Sequence, residues 1–485
     1  MARVVILGAG VSGHTAALHL RRKLDKSHDV VVVAPNSKWN WIPSNIWVGV
    51  GKMTREQVTF PLAPIYARKG IEFHQALGVA MHPEGGPDSP RAYVDITYTD
   101  PSKAGQEARL EYDYLINATG PKLNFGATPG LGPDGHTVSV CTDSHAIEAA
   151  EHLAAAIEKM RGGTRQTLVI GTGHGTCTCE GAAFEYAFNV EHELRAAGVR
   201  DMADLVYLSN EYELGDFGVG GMVFTQKGFQ TSSKTWTESL FRERGMKAIT
   251  GAHVERIEPG VIHYEQLDGS RNELAFDFAM LLPPFRGADL KAFDAAGQDI
   301  TETIFAPNGF MKVDADYSPK PYEQWRAEDW PNTYQCPKYA NVFAVGIAFA
   351  PPHQISEPRK STNGTVITPA PPRTGMPSGV MGKVAADNIA AMIATGSTTP
   401  EHTASMAKMG AACIASAGAG WTKGTAAAMT MYPIVPDYVK YPGVGRSSKD
   451  TYGEIGLGGH WVKSMLHYLF IYKAKAKPGW FLIPE

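Results

Sequence analysis

The sequence predicts an α/β protein with two Rossmann-like dinucleotide-binding units and a C-terminal region of different character. Two observations carry this. A short apolar run, a glycine turn and a helix-forming stretch follow one another from Val4, and the same succession recurs from Leu168. That order opens a doubly wound sheet. Between Ile455 and Pro484 there is no acidic residue but four lysines, Lys463, Lys473, Lys475 and Lys477.

The elements follow in order. Val4–Leu7 reads as a buried strand, Gly8-Ala9-Gly10-Val11-Ser12-Gly13 as the turn, Thr15–Leu24 as a helix and Val30–Ala34 as the next strand. Tyr114–Asn117 is a later strand that ends in the turn Ala118-Thr119-Gly120. Leu168–Ile170 leads into Gly171-Thr172-Gly173-His174-Gly175, a helix from about Ala182 to Ala197, and the strand Leu205–Leu208. Asn341–Ile347 is a strand where the first unit resumes, and residues 314–339 and 351–377 are long Pro-rich loops. The expected domains are residues 1–140 with 310–375, residues 141–309, and residues 376–485.

The chain has 485 residues, room for about three domains without a disulfide or metal staple. Lys plus Arg is 45 against 49 Asp plus Glu, a formal charge of −4. That balance lacks the basic excess of a nucleic-acid binder, so no nucleic-acid partner is expected. A hydrophobic content of 44% excludes disorder, and five cysteines form no disulfide framework. The start runs straight into a strand without a secretory-signal pattern, and no apolar run reaches about 18 residues. A soluble-bodied, cytoplasmic protein is expected. As a helix, Trp461, Met465, Leu469 and Tyr472 share one face, widened by Val462 and Leu466, opposite Lys463, Ser464 and His467. This is the pattern of a helix lying in a membrane interface, with packing against its own core as the alternative.

In the first turn Gly8 permits the tight bend, Gly10 the approach of a pyrophosphate, and Gly13 close helix packing. No carboxylate ends the second strand, so Asn36 or backbone replaces it at the ribose. The second turn is degenerate. Thr176 stands where the third glycine belongs, followed by Cys177-Thr178-Cys179-Glu180. Thiols and a carboxylate there disfavour a pyridine nucleotide, although Glu211 is placed to serve a ribose.

Several segments together resemble the sulfide:quinone oxidoreductases, flavoproteins with two dinucleotide-binding domains. These are residues 39–51 (WNWIPSNIWVGVG), 113–122 (DYLINATGPK), 140–146 (VCTDSHA), 179–186 (CEGAAFEY), 412–415 (ACIA), 371–375 (PPRTG) and 459–463 (GHWVK). Three features depart from the family pattern: the extra thiol Cys177, Asp216 where many members have His, and longer Pro-rich loops. The resemblance implies FAD in the first unit, contacted at Gly8, Gly10, Gly13, Asn36, Ser44, Asn45, Gly78, Thr119, Gly120, Gly346 and Gly375. It also implies oxidation of sulfide to zero-valent sulfur by a cysteine relay, with quinone as electron acceptor.

Within that reading Cys179 and Cys413 form the sulfur bridge, and Cys141 is a sulfur entry or shuttle thiol. The relay requires thiolates, so their pKa values are expected to be low, helped at Cys179 by the following helix N-terminus. Glu185 and His145 are candidate proton carriers; Met376, Trp461 and Lys463 are candidate neighbours of quinone and membrane. Cys177 is expected to be a bystander, Cys336 structural, and no metal is expected. The implied location is peripheral (monotopic) on the inner or cytoplasmic membrane through the C-terminal helix; homo-oligomerisation is left open. Competing readings are a type II NADH:quinone dehydrogenase, a flavin subunit passing sulfide electrons to a cytochrome, and a scaffold without turnover.

Overall fold

A computed structural model describes every residue except Cys179, Lys227, Thr374 and 419–421. The first unit opens with β1 (Arg3–Leu7), α1 (Val11–Lys23) and β2 (Asp29–Ala34). The chain continues through α2 (Ala63–Lys69), β3 (Glu72–His82), β4 (Tyr93–Tyr98), β5 (Glu107–Glu111) and β6 (Tyr114–Asn117). After α3 (Asp143–Arg161) come β7 (Gln166–Thr172), α4 (Glu180–Ala196), β8 (Ala203–Leu208), β9 (Lys247–Ile249) and β10 (Phe278–Leu282). The last elements used here are β11 (Val342–Ala344), α5 (Gly375–Thr395), β12 (Ala411–Ala417), β13 (Thr425–Met431), β14 (Tyr452–Gly456) and α6 (Leu457–Ala474).

One sheet has the order β11-β6-β1-β2-β3-β4-β5, and a second the order β9-β8-β7-β10. In the first, β1 lies parallel to both β2 and β6, with Leu7 opposite Val33 and Asn117. The side chains of Val4, Val5, Ile6 and Val31–Val33 are excluded from solvent on both faces, as a strand between helical layers requires. The second sheet is parallel throughout. Two doubly wound halves are therefore present, as the repeated motif predicts.

Two differences from the sequence reading have physical reasons. Helix α1 starts at Val11 rather than Thr15, because Gly13 lets its first turn lie on the Gly8 carbonyl; a Cβ there would stand 2.1 Å from that oxygen. The second Pro-rich loop ends at Gly375, where α5 begins. Within the C-terminal region a Gly- and Ala-rich stretch folds as the antiparallel sheet β12-β13-β14. Its small side chains let α6 lie close: a Cβ at Gly459 would stand 3.0 Å from the Cβ atoms of Ala426 and Ala428.

The chain's last residues are tied to α1. Lys473 and His19 both reach Glu485 Oε1, at 2.7 and 2.8 Å, and His14 Nε2 meets the Ala474 carbonyl at 2.7 Å. Beneath them, α5 packs on α1 through Gly382, whose Cβ would fall 2.2 Å from the Ser12 carbonyl oxygen. Gly346 sits at the same crossing with φ +67°, and a Cβ there would stand 2.2 Å from Ser12 Oγ. Gly346→Ala is expected to lower stability by about 2–5 kcal/mol, combining a left-handed backbone with overpacking. Gly364→Ala, at φ +88° with open space around it, should cost only about 1–2 kcal/mol; urea unfolding midpoints of the two variants check this.

Candidate active site

The first glycine turn is built to receive a phosphate. Gly8 (φ +103°) donates to the Val33 carbonyl at 2.7 Å, and a Cβ there would lie 2.1 Å from the Ala118 oxygen, so β1, β2 and β6 converge on a residue that must be glycine. A Cβ at Gly10 would meet nothing within 4 Å. The first-turn amides of α1 have no acceptor within the helix, and its N-terminal partial charge favours an anion. Thr119 donates through N and Oγ1 to Asn117 Oδ1, and Gly120 takes φ +70°. Asn36 is exposed beyond β2. Gly78 lies within β3, where a Cβ would stand 3.1 Å from Leu7.

The second glycine turn is occupied by the protein itself. Residues 366–371 of the Pro-rich loop lie over it. Thr368 N donates to the Gly175 carbonyl and Ala370 N to the Cys177 carbonyl, both at 2.8 Å, and Thr178 Oγ1 donates to the Pro371 carbonyl at 2.8 Å. A Cβ at Gly175 would fall 2.5 Å from the Val366 oxygen, and Gly175 N donates to His253 Nδ1 at 3.0 Å. Glu211, expected at a ribose, is instead buried and accepts from Phe217 N at 2.8 Å, Ser209 Oγ at 2.8 Å and Tyr207 OH at 3.1 Å. Cys177 is wholly buried, donates to the Leu282 carbonyl at 3.1 Å, and has its pKa pushed well up, mainly by burial.

The chemistry-bearing groups meet where α4, β12 and α6 converge. Cys413 on β12 lies against the first turn of α4: its Sγ is 2.9 Å from the position a Gly181 Cβ would take. Position 179, which precedes this turn, lies outside the described residues. On the same helix Glu185 forms a buried ion pair with Lys463 of α6 at 2.9 Å. Burial raises the Glu185 pKa, and Lys463 opposes that rise. Ser416 ties the elements together. Its amide donates to Glu185 Oε1 at 3.4 Å, its hydroxyl meets His460 Nδ1 at 2.6 Å, and its carbonyl accepts from Trp47 Nε1 at 3.1 Å and Asn189 Nδ2 at 2.8 Å.

The Trp-rich segment threads beneath. Ser44 Oγ meets His467 Nδ1 at 2.9 Å, Asn45 exchanges amide hydrogen bonds with Asn40, and Gly49 accepts from Tyr186 OH at 2.9 Å. Ser44 and Asn45 are fully buried. Gly375 at the start of α5 faces this segment, with Pro43 and Trp41 3.8 and 3.9 Å from a built Cβ. His467 has its pKa lowered to about 4, by burial and then by Lys463 and Lys475.

The expectation of low thiol pKa values reverses for the described cysteines. Burial pushes Cys141 up to about 11 and Cys413 up to about 12. Glu185 raises Cys413 further, and the Lys463 charge that lowers it is already paired. His145, in the first turn of α3, packs edge-on to Phe125 at 5.8 Å and has its pKa lowered by burial. Lys463 faces inward to Glu185 rather than outward; Trp461 is exposed and Met376 half-buried. Sequence reasoning missed Trp47, Asn189, Ser416 and His460. Of these Trp47 lies within the resembling segment 39–51, and His460 falls on the helix face of Lys463 and His467; Asn189 and Ser416 carried no signal.

Because Glu185 raises Cys413, Glu185→Gln leaves an unopposed lysine beside the thiol. Alkylation of Cys413 by iodoacetamide at pH 8, followed by mass spectrometry, should become severalfold faster than in the parent protein.

The chain is similar to sulfide-quinone reductase of Aquifex aeolicus, 29% identical over 386 residues that make up 80% of this chain and 75% of that protein. The X-ray structure of the sulfide:quinone oxidoreductase from the same bacterium superposes with a TM-score of 0.74 at 25% identity, covering 98% of this chain and 92% of that one. NDH2 of Plasmodium falciparum in complex with NADH shares the fold alone, with a TM-score of 0.62 at 13% identity over 99% of this chain and 97% of that one. Residues 2–315 match the pyridine nucleotide-disulphide oxidoreductase family. The chain thus belongs to this family, whose members carry a flavin.

Proposed function

We propose that the protein oxidises sulfide to zero-valent sulfur through cysteine sulfurs and passes the electrons by way of FAD to a quinone. The observation that carries this is the seating of Cys413 against the first turn of α4, beside the Glu185–Lys463 pair. It brings the third family-like cysteine to the helix that Cys179 precedes in the chain. The likeness to the Aquifex protein, along most of both chains, supports the same reading.

The residues fit FAD. The open space at Gly10 and the first-turn amides of α1 suit its pyrophosphate, and Asn36, exposed beyond β2, is assigned to the ribose. Gly78, Thr119, Gly120, Gly346, Gly375, Ser44 and Asn45 are the residues the family likeness assigns to the rest of the cofactor, the last two through backbone because their side chains are engaged. A bound flavin supplies the two-electron acceptor and passes the pair on.

In the bridge state HS⁻ attacks one sulfur of the Cys179–Cys413 pair. One S–S bond breaks, another forms, and a thiolate leaves. Cys141 takes sulfur onward, and Glu185 holds and releases protons, with Lys463 orienting it. His145 serves as a further proton carrier near Cys141. Per turnover HS⁻, quinone and one proton become zero-valent sulfur and quinol.

Membrane docking belongs to the same proposal. Helix α6 is turned inside out: His460, Lys463, His467 and Lys473 face the protein, while Trp461, Val462, Met465, Tyr468, Leu469 and Tyr472 are exposed. Among the described residues no helix is long and apolar enough to cross a membrane. An outward aromatic and aliphatic face suits a helix lying in the interface, with quinone arriving beside Trp461 and Met376. The loop over the second glycine turn speaks against NADH as the donor.

Adding sulfide anaerobically is expected to bleach the flavin absorbance, and a short-chain quinone to restore it, while NADH leaves it oxidised. Bleaching by NADH and not by sulfide would refute the proposal. Cys413→Ser should abolish sulfide bleaching without loss of bound flavin. Glu185→Gln should lower kcat by about 10²–10⁴-fold, the usual range for loss of a positioned acid–base group.

A further inference from the structure

The far end of α6 carries a feature that sulfide chemistry does not use. Where α6 and α2 end side by side, a cleft of about 770 Å³ opens between Phe60, Ile65, Trp480 and Phe481, with Arg68, Lys69, Lys475 and Lys477 around it. Four basic residues and no carboxylate line it. Arg68 is partly committed, since its Nη2 donates to the Lys475 carbonyl at 2.7 Å and closes the end of α6. The Lys475 and Lys477 ammonium groups lie over apolar rings, 5.6 Å from Phe60 and 5.3 Å from Tyr472.

The surroundings narrow the ligand. The cleft joins the outward apolar face of α6 through the exposed Tyr472, and its rim continues into Phe481, 40% exposed, and Leu482, 76% exposed. Buried Trp480 forms the floor, and Glu485 behind it is paired with Lys473 and meets His19 Nε2. A cleft with apolar walls, basic residues around it and an exposed apolar edge matches a molecule anionic at one end and hydrocarbon at the other. It is also distant from the Glu185–Lys463 pair. Lys463 and Lys475 lie on or beside one helix, about 18 Å apart along its axis at the standard rise per residue.

We propose that this cleft seats the phosphate headgroup of an anionic phospholipid, with Lys69, Lys475 and Lys477 around the phosphate and Phe481 and Leu482 against the first acyl methylenes. The proposal rests on the membrane-docking reading above and adds lipid selectivity to it. The cleft then sets the depth and orientation of α6 in the interface.

The test is flotation of the holoenzyme with vesicles of phosphatidylcholine alone, or of phosphatidylcholine with phosphatidylglycerol, at low and high salt. The triple variant Lys69→Ser, Lys475→Ser, Lys477→Ser is run beside it. The parent protein should prefer the phosphatidylglycerol vesicles. The triple variant should bind them about 100-fold more weakly, the product of three basic residues near an anionic surface. The variant should keep its bound flavin and its sulfide-to-soluble-quinone activity, which excludes misfolding. Equal binding of both vesicle types by the parent protein overturns the headgroup site and leaves docking through the apolar face standing. Failure of the parent protein to float with either removes the docking reading and the inference with it. Loss of the preference on adding millimolar inorganic phosphate at constant ionic strength would show a site for free phosphate, and equally overturns the lipid assignment.

Discussion

The buried ion pair between Glu185 and Lys463 is the contact on which the candidate site depends. Each charge loses most of its hydration, and their mutual attraction repays that only if the remaining donors and acceptors are satisfied. Here Ser416 supplies an amide to Glu185, and its carbonyl and hydroxyl engage Trp47, Asn189 and His460. Four elements distant in sequence are thereby held in one arrangement. Cys413, on the strand that carries Ser416, is delivered to the start of α4 as a consequence. The same pair sets the electrostatics of the thiol, because a neutralised lysine gives little help to a buried thiolate.

The two glycine turns show how one motif is kept and its copy is retired. At the first, close backbone approaches are confined to the rear of the turn, at Gly8 and Gly13, and the Gly10 side stays open. At the second, the chain's own carbonyls and amides occupy the front. The Thr368 and Ala370 bonds satisfy groups that a nucleotide would otherwise approach. Thr176, Cys177 and Thr178 are tolerated there because no phosphate needs the space.

Helix α6 reverses the ordinary rule that polar residues face water. Its histidines and both its lysines are needed inside, at Ser416, Glu185, Ser44 and Glu485, so most of its large apolar residues are left outside while Phe470 and Ala474 stay buried. The small-residue sheet β12-β13-β14 makes this possible by letting the helix backbone come close without large apolar side chains between them. The outward face follows from the requirements of the interior.

The sequence by itself determined the two strand–turn–helix units, the degeneracy of the second and the polarity of α6 along its length. These are local properties, written in contiguous residues whose backbone and periodicity leave few choices: Gly8 and Gly13 have no alternative in that turn. It also named Cys413, Glu185 and Lys463 through their resemblance contexts. Only the tertiary structure decided that Glu185 and Lys463, 278 residues apart, are partners. It alone decided that the Pro-rich loop closes the second turn and that the polar face of α6 turns inward. Periodicity separates two faces of a helix but does not say which is buried. That choice is made by the groups waiting on the other side, here a buried carboxylate that has to be paired.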